Sequence, residues 1–327
     1  MRTMPGESDC LLTLCPNPQG LTLLRCETAC AHVVVPDAVE GQPITQMGAY
    51  AFSTRCPVEF GPAAFQVHLY TQTPDAAIAH DAAAIVSVWL PQFLTNLGNY
   101  AFFNCTRLEQ LHLGPQLAQV GTDAFMNCFR LRRLTIYQSA DQFRGLRGLL
   151  REYSGQLECA FVPAQQPECH LLFPSFDEEY EEMAAPHIFH YNIAGTGYLY
   201  RQCFEGDALQ MSQYDAAFDL LLRTHSFELA VTTALLRLVY PVQLGQAARQ
   251  QYLDCLAQQD QLALDVCLAQ RNTRLLAFLL GQKLCSPQAL AHGCQLARTQ
   301  GNTQALSLLL EQTRTLAPKP TSSRFSL

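Results

Sequence analysis

The sequence is poor in the groups that usually announce chemistry. No Gly-Lys-Ser/Thr run closes a phosphate loop, no Gly-x-Ser-x-Gly presents a nucleophilic serine, and no Cys-x-x-Cys offers the paired thiolates of a structural zinc site. Apolar runs are short as well. No window reaches the eighteen consecutive apolar residues of a membrane span, and Met1 to Cys10 lack the apolar core of a secretory leader. These absences lead us to expect a cytoplasmic chain with no membrane span, no cofactor and no catalytic motif. Positive charge is also scarce: the formal net charge is −7, and two lysines stand beside nineteen arginines. A deficit of this kind argues against a general nucleic-acid binder, for which a basic surface supplies most of the affinity.

What is present begins with a phrase written twice. Gly98-x-x-Ala101-Phe102-x-x-Cys105-x-x-Leu108-x-x-Leu111-x-Leu113 returns twenty-three residues later as Gly121-x-x-Ala124-Phe125-x-x-Cys128-x-x-Leu131-x-x-Leu134-x-Ile136. A fixed period of this length marks a solenoid, in which a copy buries its apolar face only by stacking on its neighbours. The phrase resembles the BspA-like leucine-rich repeats of bacteria. A third copy runs from Val88-Trp89-Leu90-Pro91 to Leu97-Gly98, and a fourth from Val33-Val34-Val35-Pro36 through Gly48-Ala49-Tyr50-Ala51-Phe52 to Cys56. The resemblance covers about residues 20–140 and implies a protein-binding array; relatives of this class are often surface adhesins. The fourteen cysteines fit no secreted disulfide framework, because they are spread along the chain and Cys105 and Cys128 share one repeat position. Those two are expected to be small buried hydrophobes.

Strand alternation then sorts side chains by face. Val33 and Val35, Val88 and Leu90, Leu111 and Leu113, and Leu134 and Ile136 stay apolar in each copy and are expected to point inward. Val34, Trp89, His112 and Thr135 form one outward lane, with His32, Ser87, Gln110 and Arg133 in the next. Trp89 is the only tryptophan. Trp89, His112, Gln110, Arg133, Thr135 and Val34 are therefore the expected partner-binding residues, since an exposed aromatic beside arginine has the composition of an interface hot spot. The alternative is that the neighbouring insertion folds back and covers Trp89.

The fold class expected is α+β: a short BspA-like leucine-rich repeat solenoid, then an all-α, ankyrin-like helical-repeat domain. Residues 1–30 form an N-terminal cap, with a hairpin turning at Pro16-Asn17-Pro18-Gln19-Gly20. Residues 31–162 are the repeat domain, with an insertion at about 57–85 that includes a loop and short helix over Thr71 to Ala84. Phe143 to Tyr153 is a short helix with Leu146, Leu149 and Leu150 on one side, and Leu157 to Val162 a candidate last strand. Residues 163–206 form a linker, in which Ser175 followed by Asp177, Glu178 and Glu179 favours a helix start. The Gly195-Thr196-Gly197 stretch is a bent connector. Residues 207–312 show helical period. Leu296-Ala297-x3-Gly301-Asn302-Thr303 resembles the helix-loop-helix core of an ankyrin repeat, and Val266-Cys267-x3-Arg271-Asn272-Thr273 repeats it without the glycine. Residues 313–327 form a disordered tail, too rich in proline and too poor in apolar groups to fold.

Two charge clusters stand out: Arg130, Arg132, Arg133, Arg144, Arg147 and Arg151, and the acidic run Asp177, Glu178, Glu179, Glu181, Glu182. They are solvated surface, or they face one another or a charged partner. On function, the sequence favours a non-catalytic protein-protein interaction scaffold of a bacterium, with no nucleic-acid partner. The alternatives are a metal-dependent or enzymatic module built on Cys159, Cys169, His170, His187, His190 and Cys203, and an exported surface adhesin.

Overall fold

The computed structural model describes residues 9–69, 80–183 and 188–316, and the chain divides into two compact units, Met1–Ala217 and Phe218–Leu327. In chain order the first unit holds β1 (Cys10–Asn17), β2 (Gly20–Glu27), β3 (His32–Val34), β4 (Ala38–Val39), β5 (Gln42–Met47) and β6 (Phe65–Leu69). A 3-10 turn at Ala82–Ala84 precedes β7 (Ser87–Trp89), β8 (Asn96–Leu97), β9 (Gln110–Leu113), β10 (Gln119–Val120) and β11 (Arg133–Ile136). Helix α1 (Leu146–Arg151) leads to β12 (Leu157–Phe161), β13 (Cys169–Phe173), β14 (Asp177–Met183) and β15 (Ile188–Ala194). Helix α2 (Gly197–Tyr200), β16 (Phe204–Glu205), β17 (Ala208–Leu209) and α3 (Met211–Ala216) complete it.

Two sheets make the solenoid. One runs β13-β12-β11-β9-β7-β3, the other β10-β8-β5-β2-β1-β6, with β4 paired to β5. Two successive repeats give one strand to each sheet, β7 with β8 and β9 with β10. In the first sheet the strands β3, β7, β9, β11 and β12 are parallel and in register, so Val33, Val88, Leu111, Leu134 and Cys159 form one row. The expected inward pairs, from Val33 and Val35 to Leu134 and Ile136, are all buried.

The repeat phrase is explained by contacts between successive copies. A Cβ built on Gly98 would lie 2.4 Å from the Gly48 carbonyl carbon, and one on Gly121 would lie 2.5 Å from that of Gly98. Backbone therefore rests on backbone at this position, and only glycine leaves room. Phe52 stacks on Phe102 at 4.9 Å between ring centroids, and Phe102 on Phe125 at 5.8 Å. The Cys105 thiol donates to Phe52 O and the Cys128 thiol to Phe102 O, while burial pushes Cys128 up to about 12. Both are unreactive packing groups, as their shared repeat position implied. Tyr50, Tyr100 and Asp123 hold φ between 53° and 58° at matching positions, and Asn104 and Asn127 do the same at 63° and 64°. The backbone thus repeats even where the side chain does not.

The amino-terminal hairpin is present: β1 and β2 pair antiparallel, closing at Asn17 and Gly20. Strand β6 pairs with β1, so part of the insertion between repeats joins the hairpin's sheet. The rest of that expected loop and helix, residues 70–79, lies outside the described residues; the 3-10 turn follows it. Helix α1 buries Leu146, Leu149 and Leu150. At the far end β13 adds antiparallel to β12, carrying the sheet into the stretch expected to be linker. Tyr214 of α3 then closes that edge: its hydroxyl donates to Leu172 O at 2.7 Å and accepts from Leu172 N–H at 2.9 Å. One side chain supplies the donor and acceptor that another strand would bring, which protects an otherwise exposed edge.

One local expectation is overturned. The acidic run after Ser175 is β14, paired antiparallel with β15 from Asp177↔Ala194 to Met183↔Ile188, not a helix. The favourable helix-start residues are outweighed by a partner strand rich in β-branched and aromatic residues, Ile188-Phe189-His190-Tyr191-Asn192-Ile193, with which the run pairs along its length.

The second unit is helical: α4 (Phe218–Arg223), α5 (Phe227–Val239), α6 (Gln246–Gln258), α7 (Asp260–Ala269), α8 (Thr273–Gly281), α9 (Pro287–Thr299) and α10 (Thr303–Leu316). Helices α7 and α8 pack together, as do α9 and α10, and α7 packs on α9 and α8 on α10, giving two stacked helix pairs. The two connecting turns match. Asn272 caps α8 by accepting from Arg274 N–H and Leu275 N–H, and Asn302 accepts from Ala305 N–H at the start of α10. Before each cap sits a left-handed residue, Gly301 at φ 64° and Arg271 at φ 49°. The copy lacking glycine therefore makes the same turn with an arginine in a strained conformation.

Candidate functional site

The outward face of the β3–β13 sheet collects the residues expected to bind a partner. Register places Val34, Trp89, His112, Thr135, Ala160 and His170 in one row. His32, Ser87, Gln110, Arg133 and Glu158 form the adjacent row. All six expected residues thus lie on one surface, on strands held in place by the inward row beneath.

Their environments differ from the expectation of an open lane. The Trp89 and His112 rings stack at 4.0 Å with planes 8° apart, and His112 Nδ1 lies 3.1 Å from the Tyr137 hydroxyl. His112 is consequently only 8% exposed and Trp89 is half-buried. Ser87 is buried too, 2.7 Å from His32 Nδ1. The correction has a simple cause: parallel in-register strands stand aromatic side chains side by side, and each covers the next. Val34 and Thr135 are half-buried, and Gln110 Nε2 donates to Thr135 Oγ1 at 3.4 Å. Arg133 remains exposed and pairs with Glu158 at 3.1 Å.

Glu158 is the residue that sequence reasoning missed. It sits between Arg133 and His170, whose Nδ1 is 3.7 Å from its carboxylate. Burial works against its ionisation, but the His170 contact and the Arg133 charge outweigh that and hold it below the usual carboxylate range. Continuing the register from Arg133 into Leu157–Phe161 would have found it. Tyr137, which ends the aromatic stack, lies two residues past Thr135 and so on the same side. The face is therefore an aromatic strip, Trp89-His112-Tyr137, beside a charged strip, Arg133-Glu158-His170. The Nε1–H of Trp89 has no hydrogen-bond partner among the described residues.

The metal alternative finds no support in this geometry. Among the described residues no cluster of three or more histidine, cysteine or acidic side chains could hold a metal ion. Cys159, Cys169 and Cys203 are buried, and burial pushes Cys203 up to about 11, so its thiolate is disfavoured. His187 lies outside the described residues, and the side chain of His190 is likewise undescribed. No helix among the described residues is long and apolar enough to cross a membrane.

Residues 76–145 match the family model described as BspA type leucine rich repeat region, with six copies. Two solved structures are similar to this chain. One is a leucine rich repeat protein of T. pallidum, 20% identical over 39% of this chain and 51% of that one, with a TM-score of 0.29. The other is a leucine rich cell surface protein from Faecalibacterium prausnitzii A2-165, 19% identical over 42% of this chain and 31% of that one, with a TM-score of 0.26. The match thus spans about half the length of the first and under a third of the second. Among curated proteins no match is found.

Proposed function

We propose that this chain, which carries a BspA-type leucine-rich repeat region, is a non-catalytic protein-interaction scaffold of a bacterium. Its partner docks on the outward strand face at Trp89, Gln110, Arg133, Thr135 and Val34, and the stacked helix pairs, read as ankyrin-like, offer a second binding surface. The observation that carries the reading is the Trp89–His112 stack, which holds a half-buried indole on the outward face. Stacking rigidifies the tryptophan in advance, which lowers the entropy lost on docking. The Ser87–His32 contact supports a non-catalytic reading, because the hydroxyl is buried and out of reach of a substrate.

The test is a pull-down from bacterial lysate comparing the wild type with Trp89→Ala combined with Arg133→Ala. Truncating a hot-spot tryptophan is expected to weaken partner binding by about 2 kcal/mol or more, so a specific partner retained by the wild type is lost with the pair. Thermal melts of both proteins accompany it, since the stack itself contributes about 0.5–1.5 kcal/mol to stability. Equal retention by a folded double variant would move the site off this face.

A further inference from the structure

A second concavity lies on the other side of the solenoid, and the sequence shows why it opens. Strands β8 and β10 follow one another at the repeat period, Asn96–Leu97 and then Gln119–Val120. One more period leads to Gln142 and Phe143, where the chain turns instead of adding a strand, and α1 follows. The sheet therefore stops at β10. Gly145 and Gly148 let α1 approach it closely: an added Cβ would lie 2.8 Å from Leu117 O at the first and 3.2 Å from Val120 Cγ2 at the second. The step between β10 and α1 borders a cavity of about 1020 Å³.

Its walls are basic on balance, with four arginines against one acid, Asp207, among the lining residues. Arg144, Arg147 and Arg151 line it, spaced three and four residues apart and all exposed. Arg144 makes no ion pair or hydrogen bond among the described residues. Among the described residues Arg147 donates only to Gly206 O, and Arg151 pairs with Glu152. Arg201 lies beneath, 8% exposed. Its guanidinium donates to the carbonyls of Leu150, Tyr153, Gly155, Pro174 and Gly197, and it lies over the Phe176 ring at 4.8 Å. Among the described residues all its hydrogen-bond partners are carbonyl dipoles and none is a carboxylate, so no acid balances its positive charge there. Tyr198, which packs edge-on to Phe176, adds an exposed aromatic surface.

We propose that this cleft is a docking site for an acidic peptide segment in extended conformation, its carboxylates met by Arg144, Arg147 and Arg151 and an apolar side chain seated on Tyr198. The spacing suits that ligand. Arg147 and Arg151 are separated by about 6 Å along the helix axis, and alternate side chains of an extended strand by about 7 Å. A long nucleic acid is the poorer occupant, because it would run beyond the cleft over a chain whose net charge is −7, whereas a short peptide stays within it. The proposal extends the interaction reading to a site that shares no residue with the strand face.

The probe is a fluorescein-labelled synthetic heptapeptide with glutamate at alternate positions and tyrosine between, titrated by anisotropy into the full chain. Saturable binding is expected. It should weaken at least about tenfold in Arg144→Glu/Arg147→Glu, and fall steeply between about 50 and 500 mM salt. Arg144→Lys/Arg147→Lys should stay within about fivefold, and a peptide with glutamine in place of glutamate should not bind. Circular dichroism melts confirm that each variant is folded. Trp89→Ala/Arg133→Ala should bind the peptide as the wild type does, which separates failure of the strand-face reading from failure of this one. The proposal is overturned if the wild type shows no binding at about 1 mM, if the glutamate variant or the glutamine peptide binds equally well, or if single-stranded RNA displaces the peptide at lower concentration than unlabelled peptide does.

Discussion

Two buried tyrosines in the first unit should respond in opposite directions to loss of the same atom. Tyr214 and Tyr200 are both fully buried, with ring centroids 4.9 Å apart. The Tyr214 hydroxyl holds both the N–H and the C=O of Leu172, itself 3% exposed. Tyr214→Phe leaves that donor and acceptor without their bonds at a buried sheet edge. At about 1–3 kcal/mol for each unsatisfied group, the cost is about 2–6 kcal/mol. The Tyr200 hydroxyl has no hydrogen-bond partner among the described residues. Tyr200→Phe removes a polar group that was desolvated without compensation, so stability should be unchanged or higher by about 1 kcal/mol. Urea unfolding followed by Trp89 fluorescence measures both, because the single tryptophan lies in the same unit as the two tyrosines. A loss below about 1 kcal/mol for Tyr214→Phe, or equal shifts for the two variants, would refute the edge-closing role.

Four further outcomes are expected. Gly98→Ala forces a Cβ to within 2.4 Å of the Gly48 backbone and should cost about 1–3 kcal/mol or more in urea unfolding. Gly281→Ala, with nothing within 4 Å at the end of α8, should instead stabilise by about 0.4–1 kcal/mol. His80 accepts from Thr28 N–H through Nδ1 and bonds Ser53 O through Nε2, and burial, then Arg25, lowers its pKa from 6.5. The unfolded chain therefore takes up a proton before the folded one does. This contribution to stability is complete above about pH 6.5 and is lost as pH falls below it; the urea midpoint should drop between pH 7.5 and 5.5, and His80→Asn should flatten that slope. Thiol labelling of the native protein should reach Cys15, Cys30 and Cys56, which are partly exposed, while Cys105 and Cys128 wait for unfolding.

Much of the first unit was legible because its repeat is enforced by contact. Gly98 and Gly121 must be glycine for the backbones to touch, and Leu111 and Leu134 must be apolar to fill the row between them. Alternation told which residues face outward but not how much they would be covered. His112 is buried by its register neighbour Trp89 and by Tyr137, two residues past its partner Thr135, and no spacing within one strand shows that. The acidic run misled because its pairing partner is a separate stretch, Ile188–Ala194, beyond the reach of local helix preference. Arg271 turned without glycine because the flanking helices pack as they do beside Gly301. The arginines of α1 were visible as a cluster in the sequence. The cleft was not, since it arises from a strand that fails to form after β10.

Closure by Tyr214 also gives the array a direction. Any turn between β3 and β12 meets a similar turn on either side, so a duplicated 23-residue phrase could slip in there and find both neighbours ready. Past β13 the hydroxyl already occupies the place that another copy would take. Lengthening in descent would then proceed from within, and the span of the strand face would be set by how many copies were inserted ahead of that fixed stop.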